Sequence, residues 1–511
     1  MREVRMGEVG RKRAGGRRAR VAQRAAPPVQ NPCPPGQRGG MYRPLTEAQL
    51  DAITDTALRL LAELGMGEVP DRLARDLLAA GAERAGDRIL IPRKTTRRAI
   101  DLAAKRFTLH GRDPARSIEI GGDAVHFGTG GAAVQVLDLD TGLYRPSTLA
   151  DLRDFTRLQD TLANVSWFTR CCVATDMPSD LDLDANTLHA LLANTTKPVA
   201  TSFTTAATMP PLIAMLDIAA GGPGAFAERP FLTTHISPVI SPMRFGEDAV
   251  AVLYGCLAAG IPVSCITAAQ SGATAPATLA GFLAQSLAET LASLVAVNAI
   301  RPGFPMVFSN WPLVVDLRTG AFTGGGGEIA VLNAASAQLT NRLGLPSGVA
   351  ASMTDAKSID AQHGSEKALT ALAAGLAGGN LIYESSGMTA SLLGASFEAF
   401  VLDDEMHSAI YRILRGVEVD ETTLGFEAIR EAVLGEGHFL GHPQTYAAME
   451  RDYHYPALAD RVPPSQWAEE GAQDAWGRAR GRARGILKTH RPDYLTPDQD
   501  AAMRDLAPIR D

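Results

Sequence analysis

Apolar and polar positions follow two different periods along this chain, and the period switches repeatedly between residues 123 and 415. Short β-prone runs occur at Val125 to Gly128, Val165 to Arg170, Val199 to Phe203, Phe231 to Ile236, Val263 to Thr267, Pro305 to Asn310, Gly348 to Ser352 and Leu381 to Glu384. Stretches of helical spacing separate and follow them: 148–162, 183–192, 209–219, 246–257, 279–299, 327–343, 366–376 and 395–414. Strict strand–helix alternation implies right-handed crossovers and a parallel sheet. Eight units is the number that closes a (β/α)8 barrel. An open doubly wound sheet usually carries a glycine-rich phosphate loop after its first strand, which Phe127-Gly-Thr-Gly-Gly-Ala132 approximates only loosely. The expected class is α/β, a TIM barrel over residues 123–415.

The flanks read differently. Residues 41–122 are expected to form an N-terminal helical layer: Thr46 caps a helix that Gly65 ends, and strand-like pieces follow at Phe107–His110 and Ser117–Ile120. Ala133–Leu137 and the turn Asp140-Thr-Gly142 predict a hairpin inserted in the first unit. Residues 416–511 predict a C-terminal helical cap and tail, with helical patterns at Glu418–Leu434 and Trp467–Leu487. Residues 1–40 have no apolar period, carry glycine and proline pairs, and are expected to be a disordered, dispensable basic extension with Met41 as the real start.

Composition narrows the class further. A chain of 511 residues that is 46% hydrophobic can bury a large core. Net charge is −7, yet residues 1–40 hold ten Arg or Lys against Glu3 and Glu8, so the remainder stands at −7 minus +8, or −15. An acidic body argues against a nucleic-acid partner. No apolar run reads as a membrane span. The five cysteines include the vicinal Cys171-Cys172, which predicts free thiols and a cytoplasmic location. With no CxxC pair, no His-Glu-x-x-His and no compact Cys/His cluster, no metal site is expected. His438 and His442 are four apart, but Gly437 and Gly441 favour a packed turn over a metal pair.

The stretch 345–366 stands out, because Val349–Ser352 gives way abruptly to Thr354, Asp355, Lys357, Asp360, Gln362, His363 and Glu366 before a helical pattern begins. Such a strand empties polar groups into a loop, and in a parallel barrel that loop lies on the C-terminal face, where the chemistry sits. The bland alternative is a turn in which Asp360 or Ser358 caps the next helix. Residues just after the other strands converge on the same mouth: Thr129, Gly130, Arg170, Phe203, His235, Gln270, Asn310, Trp311, Tyr383 and Glu384. Aromatic faces and carboxylates accept a quaternary ammonium, while Arg170 takes a carboxylate. Each has a plainer role open to it: His235 as a hydrogen-bonded core residue, Arg170 as a partner of Asp176, Trp311 as packing. Gly324, Gly325, Gly326 and Gly327 read as a mobile loop at the mouth.

Together Gly324-Gly-Gly-Gly-Glu-Ile-Ala, Leu345-Pro to Ser352, Thr354-Asp-Ala-Lys357, Asp360-Ala-Gln-His363, Tyr383-Glu384, Gly437-His-Phe-Leu-Gly-His442 and Gln270-Ser-Gly-Ala-Thr-Ala-Pro276 resemble the trimethylamine methyltransferase family over about residues 42–460. The resemblance implies a barrel enzyme that moves a methyl group from a methylated amine to the cobalt of a corrinoid on a separate protein. Founding members carry pyrrolysine. That position falls within Ser352–Thr354, at Met353, and only standard residues stand there, which points toward quaternary amines such as glycine betaine. No base-off corrinoid motif of the Asp-x-His-x-x-Gly type is present, so the corrinoid is expected on a cognate partner, with no cofactor held tightly by this chain. Asp355 and His363 are the candidate catalytic residues: Asp355 facing the cationic nitrogen or holding Lys357 away, and His363 contacting the corrinoid or protonating a cobalt ligand. Arg170, Phe203, His235, Gln270, Asn310, Trp311, Tyr383 and Glu384 are the candidate substrate residues, with Gly324–Gly327 the partner loop. A homo-oligomer is expected. A betaine-binding barrel without catalysis, and an unrelated metal-dependent lyase or hydrolase, remain as competing classes.

Overall fold

The computed structural model of the protein describes residues 31–510, and the basic extension expected over residues 1–40 lies outside the described residues as far as Gln30. Each of the eight apolar runs forms a strand: β1 (His126–Phe127), β2 (Phe168–Thr169), β3 (Val199–Thr201), β4 (Leu232–Ile236), β5 (Val263–Thr267), β6 (Met306–Asn310), β7 (Ser347–Ala350) and β8 (Leu381–Tyr383). They make one curled sheet in the order β1-β8-β7-β6-β5-β4-β3-β2, with every pairing parallel. At its two ends, the Ser166 N–H donates to the Phe127 carbonyl at 2.9 Å, and Gly128 and Trp167 form an isolated parallel bridge.

One helix follows each strand: α1 (Leu149–Asp160), α2 (Asp180–Asn194), α3 (Met209–Ala220), α4 (Glu247–Ala259), α5 (Leu279–Ile300), α6 (Gly327–Arg342), α7 (Ala361–Ala377) and α8 (Phe397–Arg415). Their ends are written locally. Thr148, Ser179, Asp360 and Ser396 cap α1, α2, α7 and α8 through side-chain oxygens, and α3, α4 and α7 stop at left-handed Gly221, Gly260 and Gly378. The predicted hairpin is present, Gln135–Leu137 against Tyr144–Pro146, and it pairs with Gly394–Ser396 after β8.

The N-terminal layer packs on α5 through helices Glu47–Arg59, Asp71–Ala79 and Arg93–Leu102. This corrects one expectation: α5 is long and apolar enough to cross a membrane by length and composition, but 83% of its most apolar window is buried inside the protein. It is apolar all round because it has protein on all sides. Below the sheet, Phe107–Leu109 pairs with Ile118–Ile120, and Leu109 and Ile120 join Trp167 and Leu381 in the inner core.

Two boundaries move. Residues 34–40 are held: Gly36 N–H donates to the Val125 carbonyl, Val125 N–H to Gln37, Gly39 N–H to Asp123 and Gly40 N–H to Leu376. Backbone pairing needs no apolar side chains, so hydropathy gave no sign of it. The expected C-terminal cap also divides. Residues 458–510 belong with the main unit, where Ala475–Thr489 (α9) packs on α8 and α1, and Pro497–Leu506 (α10) on α3. Trp476 and Arg480 of α9 both donate to the buried Glu398 carboxylate of α8. Residues 417–457 cluster with residues 31–33 as a second unit, containing helices Glu421–Leu424, Phe426–Leu434 and Pro443–Arg451. Within it, His442 caps the last of these and pairs with Glu431, and His438 pairs with Glu436, so the two histidines do not share a helix face.

Candidate active site

Strand alternation decides which side chains face the inside of the curled sheet. Gly128, Trp167, His235, Ser264, Ser309, Trp311 and Tyr383 do. The Tyr383 hydroxyl donates to Ser264 Oγ at 2.9 Å, and Ser264 and Ser309 share a 2.7 Å hydrogen bond, so β8 reaches across the interior to the non-adjacent β5. Around Tyr383 stand Trp167, Trp311 and His235, with ring centroids 4.5, 5.0 and 5.0 Å away. These spacings and tilted planes are those of packed aromatic clusters. Trp311 Nε1, Trp167 Nε1 and His235 Nε2 are buried without a protein partner.

Beside this cluster, at the ends of β3 and β4, lies an open hollow of about 350 Å³ whose lining includes Phe203, Thr204, His235, Ile236 and Asp248. Arg170, near His235, is half-buried, and its guanidinium has no hydrogen bond or ion pair among the described residues. Burial lowers its pKa, opposed by nearby Asp184. Asp184 itself is saturated by Thr204 N–H, Thr204 Oγ1 and Thr208 Oγ1 at 2.7–2.8 Å. Asp176 instead accepts from Leu149 N–H, so the expected alternative pairing with Arg170 is not made. Burial, with Arg170 close by, brings His235 down to about 3; its Nδ1 meets Thr169 Oγ1 at 3.3 Å.

A third group sits where β8 meets β1. Glu384 is buried, has φ +62°, and burial pushes its carboxyl up to about 7. Gly130 and Gly131 leave room for it: a Cβ on either would stand 2.7–2.8 Å from its carboxylate. Lys367 of α7, also buried, pairs with Asp403 of α8 at 3.1 Å and donates to the Ser352 carbonyl at 2.6 Å, while its charge opposes the rise at Glu384. Burial draws both Lys367 and Asp403 toward their neutral forms, against their mutual attraction.

The stretch after β7 is tied into its surroundings by hydrogen bonds. Asp355 Oδ1 accepts from Gly324 N–H and from Ser391 Oγ, both at 2.7 Å. Glu366 accepts from Thr354 Oγ1 at 2.6 Å and from Asp355 N–H at 2.8 Å. Asp355 thus ties three loops together, and Lys357 bends back to its carbonyl. His363 lies buried in the first turn of α7, its N–H capped by Asp360 as the plainer alternative had it. Burial and Lys367 hold it near 3, so it is neutral at physiological pH and unsuited to protonating a cobalt ligand.

In the run Gly324–Gly327, Gly324 and Gly325 are held to glycine by close approach, while Gly327 has open space around it. A Cβ on Gly324 would meet Met353 Cβ at 2.8 Å, and one on Gly325 the Glu366 carboxyl at 2.3 Å. Met353 itself is buried in the inner core with Trp311 and Tyr383. Two substrate candidates are not brought in. Asn310 shares a strand face with Met306 and Phe308, which belong to the outer core under the helices, and so points away from the interior. Gln270 opens a two-residue strand paired with Leu313–Val314, and its N–H goes to Thr274 Oγ1. The sequence reading missed Trp167, Lys367 and Asp403. Trp167 was legible as the inward alternate of its run, and Lys367 as the lone charge in an Ala/Leu-rich helical stripe.

An all-parallel α/β sheet with unpaired polar and aromatic groups gathered at its strand ends has the architecture in which α/β enzymes keep their sites. The family model for trimethylamine methyltransferase (MTTB) matches residues 13–510. The chain belongs to that family and is a methyltransferase. It is 29% identical over 469 residues to the glycine betaine methyltransferase of Desulfitobacterium hafniense (strain Y51), covering 92% of this chain and 97% of that one. To trimethylamine methyltransferase MttB of Methanosarcina barkeri it is 30% identical over 473 residues, covering 91% and 94%. Among solved structures, the Methanosarcina barkeri monomethylamine methyltransferase (MtmB) aligns with a TM-score of 0.46 at 14% identity, covering 89% of this chain and 96% of that one.

Proposed function

We propose that the protein transfers a methyl group from a small quaternary amine bearing a carboxylate, a betaine, to the reduced cobalt of a corrinoid carried by a separate protein. The observation that carries the substrate class is Arg170, a half-buried guanidinium without a partner among the described residues, close to His235 at the edge of the hollow that Phe203 lines. An unpaired Arg there suits a bidentate carboxylate. At the other end of such a ligand, Phe203, Trp311 and Tyr383 offer ring faces to the ammonium, and Glu384 offers a carboxylate.

A quaternary nitrogen already carries its charge, so the electron pair of the breaking C–N bond returns to nitrogen and a neutral tertiary amine leaves without a proton. This chain's task is to orient one N-methyl group and keep water away, which is catalysis by proximity and desolvation. The acceptor supplies the nucleophile and is read as a substrate, not a resident group. We place Asp355 as a positioning residue for the loops around the site and His363 as a neutral imidazole behind it. We further propose that the sheet closes as a full (β/α)8 barrel, supported by the Phe127–Ser166 hydrogen bond and the Gly128–Trp167 bridge, and that the enzyme works in the cytoplasm, supported by five free, buried cysteines.

The test is methyl transfer to reduced corrinoid, followed by absorbance, across a panel of betaines and of quaternary amines without a carboxylate. Betaines are expected to be preferred by tenfold or more. Arg170→Ala is expected to remove that preference by raising KM for the betaine only. Equal use of both classes by the parent overturns the assignment of Arg170, and silence across the panel overturns the reaction.

A further inference from the structure

Ser352 and Glu384, just past β7 and β8, are both left-handed at φ +62°. Residues with a side chain disfavour that backbone and keep it only where the surroundings enforce it. α7 grips Ser352 from both sides: its N–H donates to Thr370 Oγ1 at 2.9 Å, and its carbonyl accepts from Lys367 Nζ at 2.6 Å. Lys367 Nζ also donates to the Met388 carbonyl at 3.2 Å, and its partner Asp403 accepts from Gly387 N–H at 2.7 Å. One buried pair therefore joins α7 and α8 to the turns after both strands. Met353, next to Ser352, enters the inner core, and Glu384 lies against Gly130 and Gly131.

The side chains of Lys367 and Asp403 are only 1% and 2% exposed, and a buried ion pair seldom stabilises a fold more than apolar residues of its volume would. Packing alone gives no reason for the pair, but charge does. Glu384 faces the Lys367 ammonium, accepts from Gly131 N–H and lies near the Tyr383 hydroxyl, while its Oε2 is buried without a protein partner. Around Lys367 stand Asp403, Glu384 and the buried imidazoles of His363 and His407, both kept neutral by burial and by the ammonium. Asp404, beside Asp403 in sequence, turns instead to Asn164. Lys367 is the cation of this cluster.

We propose that Lys367, held in place by Asp403, is a positioning residue for the reaction assigned above, a proposal that rests on that reading. It fixes the turns that set Met353 and Glu384 at the interior, and it keeps Glu384 in the anionic form that meets the ammonium of the substrate.

The experiment follows the C=O stretch of the protonated Glu384 carboxyl against pH by infrared difference spectroscopy of the full chain, the band being assigned by its absence in Glu384→Gln. Lys367→Gln with Asp403→Asn removes both charges but keeps a donor and an acceptor; Lys367→Met with Asp403→Asn removes the donor as well. In both, the Glu384 midpoint is expected to rise by about one pH unit or more, as loss of an opposite charge requires. For the Gln variant, kcat/KM for a betaine is expected to fall severalfold at pH 7 and to recover at pH 9, which a purely structural role would not allow. For the Met variant the loss is expected to persist at pH 9, because the Ser352 carbonyl has lost its donor. An unmoved midpoint in a folded variant overturns the proposal, as does full recovery of the Met variant at pH 9. If neither variant folds, the pair is structural and the proposal is wrong. The infrared titration needs no substrate, so a parent that shows the band but methylates no reduced corrinoid overturns the reaction while the control of Glu384 by Lys367 is still decided.

Discussion

At the residue scale, Glu384 carries the sharpest consequence. Its carboxyl ordinarily titrates near 4.5 and is raised to about 7 by burial, so the folded state holds its proton more tightly than the unfolded chain. Its contribution to stability is therefore fully present below about 4.5 and is lost as pH rises through about 7. Glu384→Gln, of the same shape, is expected to melt at or above the parent at pH 8 and, on the proposed function, to lose most methyl transfer, because the anion proposed to face the substrate ammonium is gone. The parent's kcat/KM is expected to rise with pH through about 7, and this limb is expected to vanish in the variant. A variant of full activity would return Glu384 to packing. Asp355 separates in the opposite way. Asn keeps an oxygen for Gly324 N–H and Ser391 Oγ, so Asp355→Asn is expected to keep both stability and most turnover, while Asp355→Ala strands two donors and costs about 1–3 kcal/mol. Loss of turnover in a normally melting Asn variant would show that its charge is used.

At the element scale, the junction of α6 and α7 rests on how closely the glycine run approaches Glu366. Gly325→Ala places a methyl group at 2.3–2.5 Å from the Glu366 side chain, which can retreat only by giving up its bonds to Thr354 and Asp355. A loss of about 1–3 kcal/mol in denaturant unfolding is expected. Gly327→Ala meets nothing within 4 Å and is expected to be neutral or slightly stabilising, since it opens α6. If the two variants behaved alike, backbone freedom rather than close approach would be the reason for the run.

At the scale of the whole molecule, residues 34–40 act as a strap across the N-terminal side of β1 and the end of α7. A chain beginning at Met41 forfeits four backbone hydrogen bonds, those between Gly36 and Val125, Val125 and Gln37, Gly39 and Asp123, and Gly40 and Leu376. At about 0.5–1.5 kcal/mol each, their loss is expected to lower Tm by several degrees in calorimetry. An unchanged Tm would mean that β1 needs no strap.

The strand and helix positions were written in the sequence because each depends on local order: period-two apolar runs, period-3.6 stripes, and caps such as Thr148, Asp360 and Gly378 are legible within a few residues. So was the parallel sheet, which follows from alternation alone. What only tertiary structure decided is everything that depends on which way a side chain turns and what it meets far along the chain. Asn310 and Trp311 are neighbours, yet one points out under the helices and the other in toward Tyr383. Lys367 and Asp403 read as surface charges until α7 and α8 bury them together. Asp355 stands out in the sequence because its loop is polar, and only the fold shows that it ties Gly324 to Ser391. Residues 34–40 have no pattern to read, since a backbone strap uses groups that every residue has. Local order set the elements; burial and contact across tens to hundreds of residues set the chemistry, because a side chain's charge, partner and direction exist only once its distant neighbours are in place.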